Sequence, residues 1–248
     1  LHDPGARAQP RRVVHGHDVG GRHVEPFSHD LRRVPDVLVR VVPPDAIAHE
    51  LRFLLQHYPS AYDVDRSAGA NPIRQPLENL RDAGSLYGPI IYDKAPIVMR
   101  QLEAILGPDE LRDGLREYLT RYAFANATWA DLIQILDQRT VEDLATWSRV
   151  WVDEPGRPTI STDLKVESGK VARLAFSQSD PRGRSLLWNQ QLHVALGYEH
   201  GARISVLRMD APTAELPGAR DLPAPRYVLP NGEGAGYGLF TLDPASRT

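Results

Sequence analysis

The chain has 248 residues, 42% of them hydrophobic and 25% charged, and a formal net charge of −3 at pH 7. A chain of this length can bury the core of one or two domains, and its slight negative charge argues against nucleic acid or an anionic membrane as a partner. The absence of cysteine excludes disulfides and thiolate metal sites, and no apolar run is long enough to predict a transmembrane segment.

Residues 1–42 differ in character from the rest of the chain. They hold five of the nine histidines, with proline, glycine and arginine scattered among them without helical or strand periodicity. Because zinc prefers imidazole and carboxylate ligands, His15, His17, His23 and His29 invite a metal interpretation, but no regular element orders them. We therefore expect a disordered segment or a stretch translated out of frame.

A first amphipathic helix is predicted to begin with Asp45 as its cap and to end at Tyr58 and Pro59. Its apolar positions share one face: Ile47, Leu51, Leu54 and Leu55. From Ser60 to Ser85 the sequence is typical of a loop, longer than a structural connection needs, and loops of that length are often functional.

On this first helix, His49 and Glu50 match only the first half of the zinc motif H-E-x-x-H. Phe53 stands where the second histidine is needed, and His57 lies two helical turns after His49. No second ligand therefore falls one turn away. We expect a solvated His-Glu pair on an amphipathic helix.

The chain is organised around the next predicted helix, which follows a break at Gly88 and Pro89. Its apolar positions repeat at helical spacing until Gly107 and Pro108 end it: Val98, Leu102, Ile105 and Leu106. Tyr92 lies at the start of this helix and not on its packed face. A tyrosine phenol stays protonated at neutral pH and can donate a hydrogen bond to an oxyanion developing on a substrate carbonyl. The alternative is a half-buried tyrosine that donates to a backbone carbonyl.

Three further helices are predicted before residue 155. The first opens at Pro108 and has its periodic positions at Leu111, Leu115, Tyr118, Leu119 and Tyr122. Capping boxes are expected at Thr128 with Asp131 and at Thr140 with Asp143, each before an apolar run. Tryptophans and tyrosines at helical spacing are typical of a core and not of a ligand site.

The periodicity changes from helical to strand-like between Pro155 and Pro158. Five strands are predicted, at residues 159–166, 170–178, 190–196, 202–209 and 237–242. Short strands at this spacing indicate a small antiparallel sandwich. The sequence thus predicts an α+β chain with three parts: an unmatched segment 1–42, a helical region 43–155 and a β-sandwich 156–248.

Several motifs, taken in order, resemble one enzyme family. They are Tyr92-x-Lys94, Leu106-Gly107, Tyr118-Leu119, Asn126-Ala127-Thr128 with Asp131-Leu132, Trp151-x-x-x-x-Gly156-x-Pro158, and the turn and strand from Asn231 to Phe240. Together they are similar to the C-terminal part of the catalytic domain, and the β-sandwich after it, of the gluzincin zinc aminopeptidases. Alanyl aminopeptidase and leukotriene hydrolase belong to that family. The resemblance covers residues 43 to 243.

This resemblance implies the helical lobe of a thermolysin-like catalytic domain, a zinc cofactor and hydrolysis of the N-terminal residue of peptides. It places on Tyr92 the family's proton-donating tyrosine, which stabilises the tetrahedral intermediate. The family's H-E-x-x-H motif, its glutamate ligand and its G-x-M-x-N loop are not found in this sequence. Ala95 and Pro96 stand where the family usually has glycine. We therefore assign no metal ligand, and we expect the chain alone to be inactive.

Two functions remain open on the sequence alone. The chain is a piece of a zinc aminopeptidase that acts on peptides, or it is a non-catalytic module of helices and sandwich that scaffolds or binds peptides. Its start at Leu1 instead of Met predicts a fragment whose true start lies upstream. The sequence determines neither substrate preference nor oligomeric state, and it leaves the compartment unknown, with the cytoplasm slightly favoured.

Overall fold

The computed structural model describes residues 44–77, 79, 81 and 83–247. The predictions for residues 1–42, including the histidines there, lie outside these described residues. So do the predictions for the side chains of Asp45 and Ile47.

Helices occupy the first half of the described chain. In order they are α1 Pro44–Asp65, α2 Ala83–Leu86, the π-helix π1 Ile90–Lys94, α3 Ala95–Leu106, α4 Pro108–Arg121, α5 Trp129–Asp137, α6 Leu144–Ser148 and the π-helix π2 Arg149–Asp153. Val98, Leu102, Trp147 and Trp151 are almost completely buried in one helical core, which confirms the core assignment of the tryptophans. In the part of the chain that the structure describes, no helix has the length and apolar character to cross a membrane.

One of the two predicted capping boxes is present. The Thr128 side chain accepts the N–H of Asp131, and the Asp131 carboxylate accepts the N–H of Thr128 at 2.8 Å, so α5 begins where the sequence indicates. The second box is wrong. Asp143 itself caps α6 by accepting the N–H of Thr146 at 2.8 Å, because Thr140 accepts a backbone N–H within its own turn.

The predicted stop of the first helix at Pro59 is also wrong, since α1 continues to Asp65. Proline removes one helical N–H donor, but the packing beyond it outweighs that loss. Ala61 is completely buried, and the ring of Tyr62 stacks on that of Tyr237 with centroids 4.7 Å apart. Tertiary contacts therefore extend a helix that its local sequence would end.

The apolar face expected for α1 differs from the observed one. Leu51 and Leu55 are 53% and 69% exposed, whereas Phe53 and Leu54 pack against the helical core. The loop predicted for residues 60–85 is shorter in the structure, because the last turns of α1 and the short helix α2 occupy its two ends.

The strands form two sheets. They are β1 Thr159–Glu167, β2 Lys170–Ser179, β3 Gln190–Tyr198, β4 Gly201–Met209, β5 Thr213–Glu215, β6 Tyr227–Leu229 and β7 Leu239–Thr241. One sheet has the order β5-β2-β1-β7 and the other the order β4-β3-β6. The four long strands confirm the predicted ones. Strands β5 and β6 are absent from the sequence prediction, because three residues are too few to show an alternating pattern.

The pair of β1 with β7 is parallel, which corrects the expectation of an antiparallel arrangement. Thr159 pairs with Leu239, and Ser161 pairs with Thr241. Parallel pairing needs a long connection between the strands, and β7 lies far enough along the chain from β1 to satisfy this. The pairs β1–β2, β2–β5, β3–β4 and β3–β6 are antiparallel.

The two sheets share one hydrophobic core. Ile160 and Phe176 from the first sheet and Leu192, Leu196 and Val228 from the second are all 0% exposed and belong to the same cluster. One face of each sheet therefore lies against this core.

Two residues from the sheet region belong to the helical core instead. Trp188 and Tyr237 are completely buried there, and the indole N–H of Trp151 donates to the carbonyl of Asn189 at 2.9 Å. Helices and sheets lie within one unit, from Arg40 to Thr248. The division into domains at residues 155 and 156 stays a prediction.

Candidate functional site

Tyr92 lies in the middle of π1, directly after the Gly88-Pro89 break. The backbone N–H groups of Ile91 and Tyr92 both donate to the carbonyl of Gly88 at 3.0 Å, so the break itself starts the helix. The Tyr92 side chain is 58% exposed, and its ring contacts the ring of Tyr87 at a centroid distance of 5.9 Å. Its hydroxyl has no hydrogen-bond partner among the described residues. The phenol is thus available as a donor, unlike the half-buried tyrosine of the alternative interpretation.

The residue after Tyr92 fastens π1 to α1. The Asp93 carboxylate lies 2.9 Å from Nδ1 of His57, and both side chains are mostly buried. The His57 ring in turn packs against Phe53 with centroids 4.5 Å apart. A charged or hydrogen-bonded pair at this depth restrains the backbone next to Tyr92.

Lys94, the last residue of π1, is the centre of a buried polar cluster formed by Asp65, Lys94, Gly156 and Tyr237. Nζ of Lys94 lies 2.8 Å from Oδ2 of Asp65 and donates to the carbonyl of Gly156 at 2.8 Å, and both charged side chains are 0% exposed. Burial lowers the pKa of the Lys94 ammonium below its ordinary value, and the Asp65 carboxylate opposes that shift.

Asp65 receives two further donors in the buried polar cluster. The N–H of Gly156 donates to Oδ1 at 3.0 Å, and the Tyr237 hydroxyl donates to Oδ2 at 3.1 Å. Burial raises the pKa of the Tyr237 phenol, with the negative charge of Asp65 adding to the effect, so the phenol remains a donor. Both carboxylate oxygens are satisfied, as a buried charge requires.

The turn before β7 joins the same region. Asn231 accepts the N–H of Gly236 at 2.7 Å and donates to the carbonyl of Gly236 at 2.9 Å, which closes the turn. Carbonyls of this turn accept bonds from two helices. The Tyr58 hydroxyl donates to Gly234 at 2.5 Å, and the Gln101 side chain donates to Ala235. The Asn-Gly turn therefore holds α1 and α3 together.

The buried polar cluster unites motifs that lie far apart in the sequence. Lys94, Gly156 and Tyr237 each belong to a motif of the family resemblance, but Asp65, to which all three bind, falls in the stretch whose composition predicts a loop. The sequence does carry a signal for Asp65. Tyr58, Ala61 or Tyr62, and Asp65 repeat at helical spacing, and this pattern runs through Pro59, where the local rule places a stop.

The zinc ion that the resemblance implies does not fit the described residues. Among them, no group of three or more histidine, aspartate or glutamate side chains is arranged to hold a metal ion. His49 and Glu50 are exposed, as expected of a solvated pair, and Glu50 forms an ion pair with Arg100 at 2.6 Å.

Residues 39–151 match the family model described as the peptidase family M1 domain. Over this range the chain is similar to peptidase family M1. The matched range contains Asp65, Tyr92 and Lys94, whereas Gly156, Tyr237 and both sheets lie beyond it.

Curated relatives of the chain carry aminopeptidase names. It is 32% identical over 125 residues to Aminopeptidase N of Streptomyces lividans, which is 49% of this chain and 14% of that protein. It is 30% identical over 106 residues to Aminopeptidase M1-C of Oryza sativa subsp. japonica, covering 43% and 12% of the two chains. With Aminopeptidase A of Gloydius brevicauda the identity is 22% over 185 residues, covering 73% and 19%. The chain thus spans less than a quarter of these relatives.

Proposed function

We propose that this chain is part of a zinc aminopeptidase of family M1, an enzyme that removes N-terminal residues from peptides. The helices α1 to π2 form the C-terminal lobe of its thermolysin-like catalytic domain, and the two sheets form the β-sandwich that follows. The family match across the helices and the aminopeptidase names of the relatives support this proposal. The single core shared by the two sheets supports the sandwich.

Tyr92 is the catalytic residue that this chain contributes. Hydrolysis of a peptide bond passes through a tetrahedral intermediate whose carbonyl oxygen becomes negatively charged, and a phenol that donates to this oxygen lowers the barrier. The observation that carries the assignment is the exposed Tyr92 hydroxyl, unpaired among the described residues, within the segment that matches the peptidase family.

The two residues after Tyr92 position it. Asp93 is held by His57 and Lys94 by Asp65, so both bonds tie π1 to α1. A donor fixed before the reaction stabilises the transition state without the cost of reorganising. Asp93 and Lys94 are therefore positioning residues, and they do not contact the substrate.

The zinc ligands would have to come from residues other than those described, and DNA sequencing tests this directly. The coding DNA across and upstream of the codon for Leu1 is sequenced and translated in all three frames. An H-E-x-x-H motif in any frame supports the proposal. If every frame lacks the motif, the chain is a non-catalytic module of helices and sheets that scaffolds or binds peptides.

Kinetics on the protein read from that DNA tests the role of Tyr92. We expect Tyr92→Phe to lower kcat for an aminoacyl p-nitroanilide by roughly a hundredfold or more, with little change in KM, because the donor acts on charge present only in the transition state. Tyr87→Phe, which removes the neighbouring exposed hydroxyl, is the matched control. An unchanged kcat in Tyr92→Phe excludes the assignment. The 248-residue chain alone is expected not to hydrolyse the same substrate.

A further inference from the structure

An open cavity of about 460 Å³ borders the buried polar cluster, and Asp65 and Gly156 of that cluster are among its lining residues. Its walls come from four separate segments: the end of α1 with the residues after it, the stretch from Gly156 to Thr159, the turn at Pro181 and Arg182, and Leu239 of β7. Tyr92 is not among the lining residues. Arg66, Arg157 and Arg182 each contribute a side chain, and we call this cavity the arginine cleft.

Two of the three guanidinium groups have no carboxylate partner among the described residues. Arg66 is paired with Asp63 at 2.6 Å, but Arg157 and Arg182 form no ion pair there. The Arg182 guanidinium makes one hydrogen bond among the described residues, to the carbonyl of Ser67 at 3.1 Å. Nε of Arg157 is buried and has no hydrogen-bond partner in the described part of the chain. Since a buried polar donor without a partner is unfavourable, Arg157 needs an acceptor that this chain does not supply.

The negative groups next to the cleft are already occupied. Both oxygens of Asp65 accept bonds from Gly156, Lys94 and Tyr237, and Lys94 balances its charge. Free carbonyls at the end of α1 would repel an anion. Here the carbonyl of Tyr62 accepts the N–H of Arg66, and the carbonyl of Val64 accepts the N–H of Ser67. The cleft therefore carries an excess of positive charge.

Gly156 lines the cleft and lies close to two arginine side chains. A Cβ atom at this position would lie 3.5 Å from Nε of Arg182 and 3.5 Å from a terminal nitrogen of Arg184. Gly156 also has a φ of 95°, which residues with a side chain rarely adopt. The backbone conformation thus favours glycine at this edge of the cleft.

A second cavity of about 320 Å³ continues the cleft along the end of α1 and shares with it Arg66, Arg157 and Leu239. The two volumes together match those of small-molecule sites. Leu239 and Pro181 supply apolar wall next to the guanidinium groups. This combination suits a molecule with an apolar part and an oxyanion group, because guanidinium binds phosphate oxygens in pairs.

We propose that the arginine cleft binds a phosphate-bearing small molecule, with Arg157 and Arg182 donating to the phosphate oxygens. This binding site is separate from the Tyr92 site, and it does not depend on peptidase activity. Its test uses the 248-residue chain itself.

Titration calorimetry with inorganic phosphate and with pyrophosphate is the first measurement. We expect saturable binding of one phosphate group per chain that persists at physiological salt, where loose attraction between exposed charges is largely screened. Succinate and N-acetyl-leucine are the carboxylate probes. They are expected to bind at least roughly tenfold more weakly, because a phosphate accepts several charge-assisted hydrogen bonds and a carboxylate accepts only one pair. Binding that vanishes at physiological salt, or carboxylates that bind more tightly, would overturn the proposal.

Substitutions then locate the site. Arg157→Gln and Arg182→Gln are each expected to weaken phosphate binding roughly tenfold or more, the loss that follows removal of one charge-assisted hydrogen bond. Arg220→Gln removes the same charge from an exposed turn outside the cleft. Its affinity for phosphate should stay within roughly twofold of that of the unsubstituted chain, because salt screens the effect of a distant charge. Arg157 also packs over the ring of Tyr62, at 5.1 Å, so its variant could lose stability. Arg182 is exposed and decides the matter: if Arg182→Gln binds phosphate as tightly as the parent chain, the cleft is not the site.

Discussion

Tyr92 and Lys94 belong to the same five-residue π-helix, yet their surroundings are opposite. Tyr92 is 58% exposed and its hydroxyl has no hydrogen-bond partner among the described residues, whereas Lys94 is 0% exposed and binds Asp65 and Gly156. Two positions apart on a helix point to nearly opposite sides, so one short element can present an exposed hydroxyl outward and a buried ammonium inward. The comparison teaches that a side chain open to solvent and a side chain that anchors the fold can lie only two residues apart on π1.

Substitution of Lys94 gives the largest expected effect on the unfolding free energy. Lys94→Met leaves the Asp65 carboxylate buried without its counter-charge, and breaking a buried ion pair costs roughly 3–5 kcal/mol. Urea unfolding followed by circular dichroism measures the change. Arg121→Met breaks the exposed pair with Glu117 and is the matched control, expected to lose less than about 0.5 kcal/mol. The double variant Asp65→Leu with Lys94→Met should recover part of the loss, because no buried charge remains unpaired.

Gly156→Ala tests the backbone that closes the buried polar cluster. The residue has a φ of 95°, so alanine is strained there, and we expect a loss of about 1–3 kcal/mol in unfolding free energy. Gly88→Ala is the control, since nothing lies within 4 Å of a Cβ there and its φ is not positive. Equal stability of the two variants would contradict the role of Gly156.

We expect alkaline pH to lower the unfolding free energy, because the chain contains buried tyrosines. Burial raises the pKa of the Tyr62 phenol to about 12, and it raises the pKa of the Tyr58 phenol as well. An unfolded tyrosine ionises near pH 10, so above that pH the unfolded chain loses protons that the folded chain keeps. Stability therefore falls as pH rises from about 10 towards 12, by up to about 1.4 kcal/mol per pH unit for each such group.

Unfolding free energies measured across that pH range check the slope. Tyr62→Phe removes one buried phenol and should flatten the dependence on pH. Tyr87→Phe removes an exposed phenol and should leave the slope as it is. A slope that Tyr62→Phe does not change would show that other groups control alkaline unfolding.

Tyr92→Phe gives the smallest expected change in stability. The lost hydroxyl is exposed and unpaired among the described residues, so the unfolding free energy should stay within about 0.5 kcal/mol of the parent chain. The same urea titration measures it. A larger loss would mean that the hydroxyl has a structural partner and that Tyr92, like Lys94, contributes to stability.

The fold can be predicted from the sequence where local patterns are long and consistent. The apolar repeat of α3, the Thr128 box of α5 and the alternation in the four long strands each predict an element that the fold contains. Short or conflicting signals fail. The extension of α1 past Pro59 depends on Ala61 and Tyr62 packing against distant residues, and no local pattern reports such packing.

Only the exposed part of the candidate site, at Tyr92, can be predicted from the sequence. The position of Tyr92 at the start of a helix follows from Gly88 and Pro89, and its exposure agrees with that prediction. Its catalytic role stays a prediction. The partnership of Lys94 with Asp65 cannot be found in this way, because a salt bridge between distant residues leaves no spacing in the sequence that identifies it.

The bonds made by the turn before β7 also set an order of assembly. Asp65 and its partner Tyr237 are 172 residues apart, and the carbonyls that accept from Tyr58 and Gln101 lie in the turn just before Tyr237. Chains leave the ribosome from the N-terminus, and domains usually fold as they emerge. Here the helical core cannot close until Tyr237 has been synthesised. A ribosome stalled before that codon should therefore carry helices that are formed but not yet locked together by the bonds to this turn.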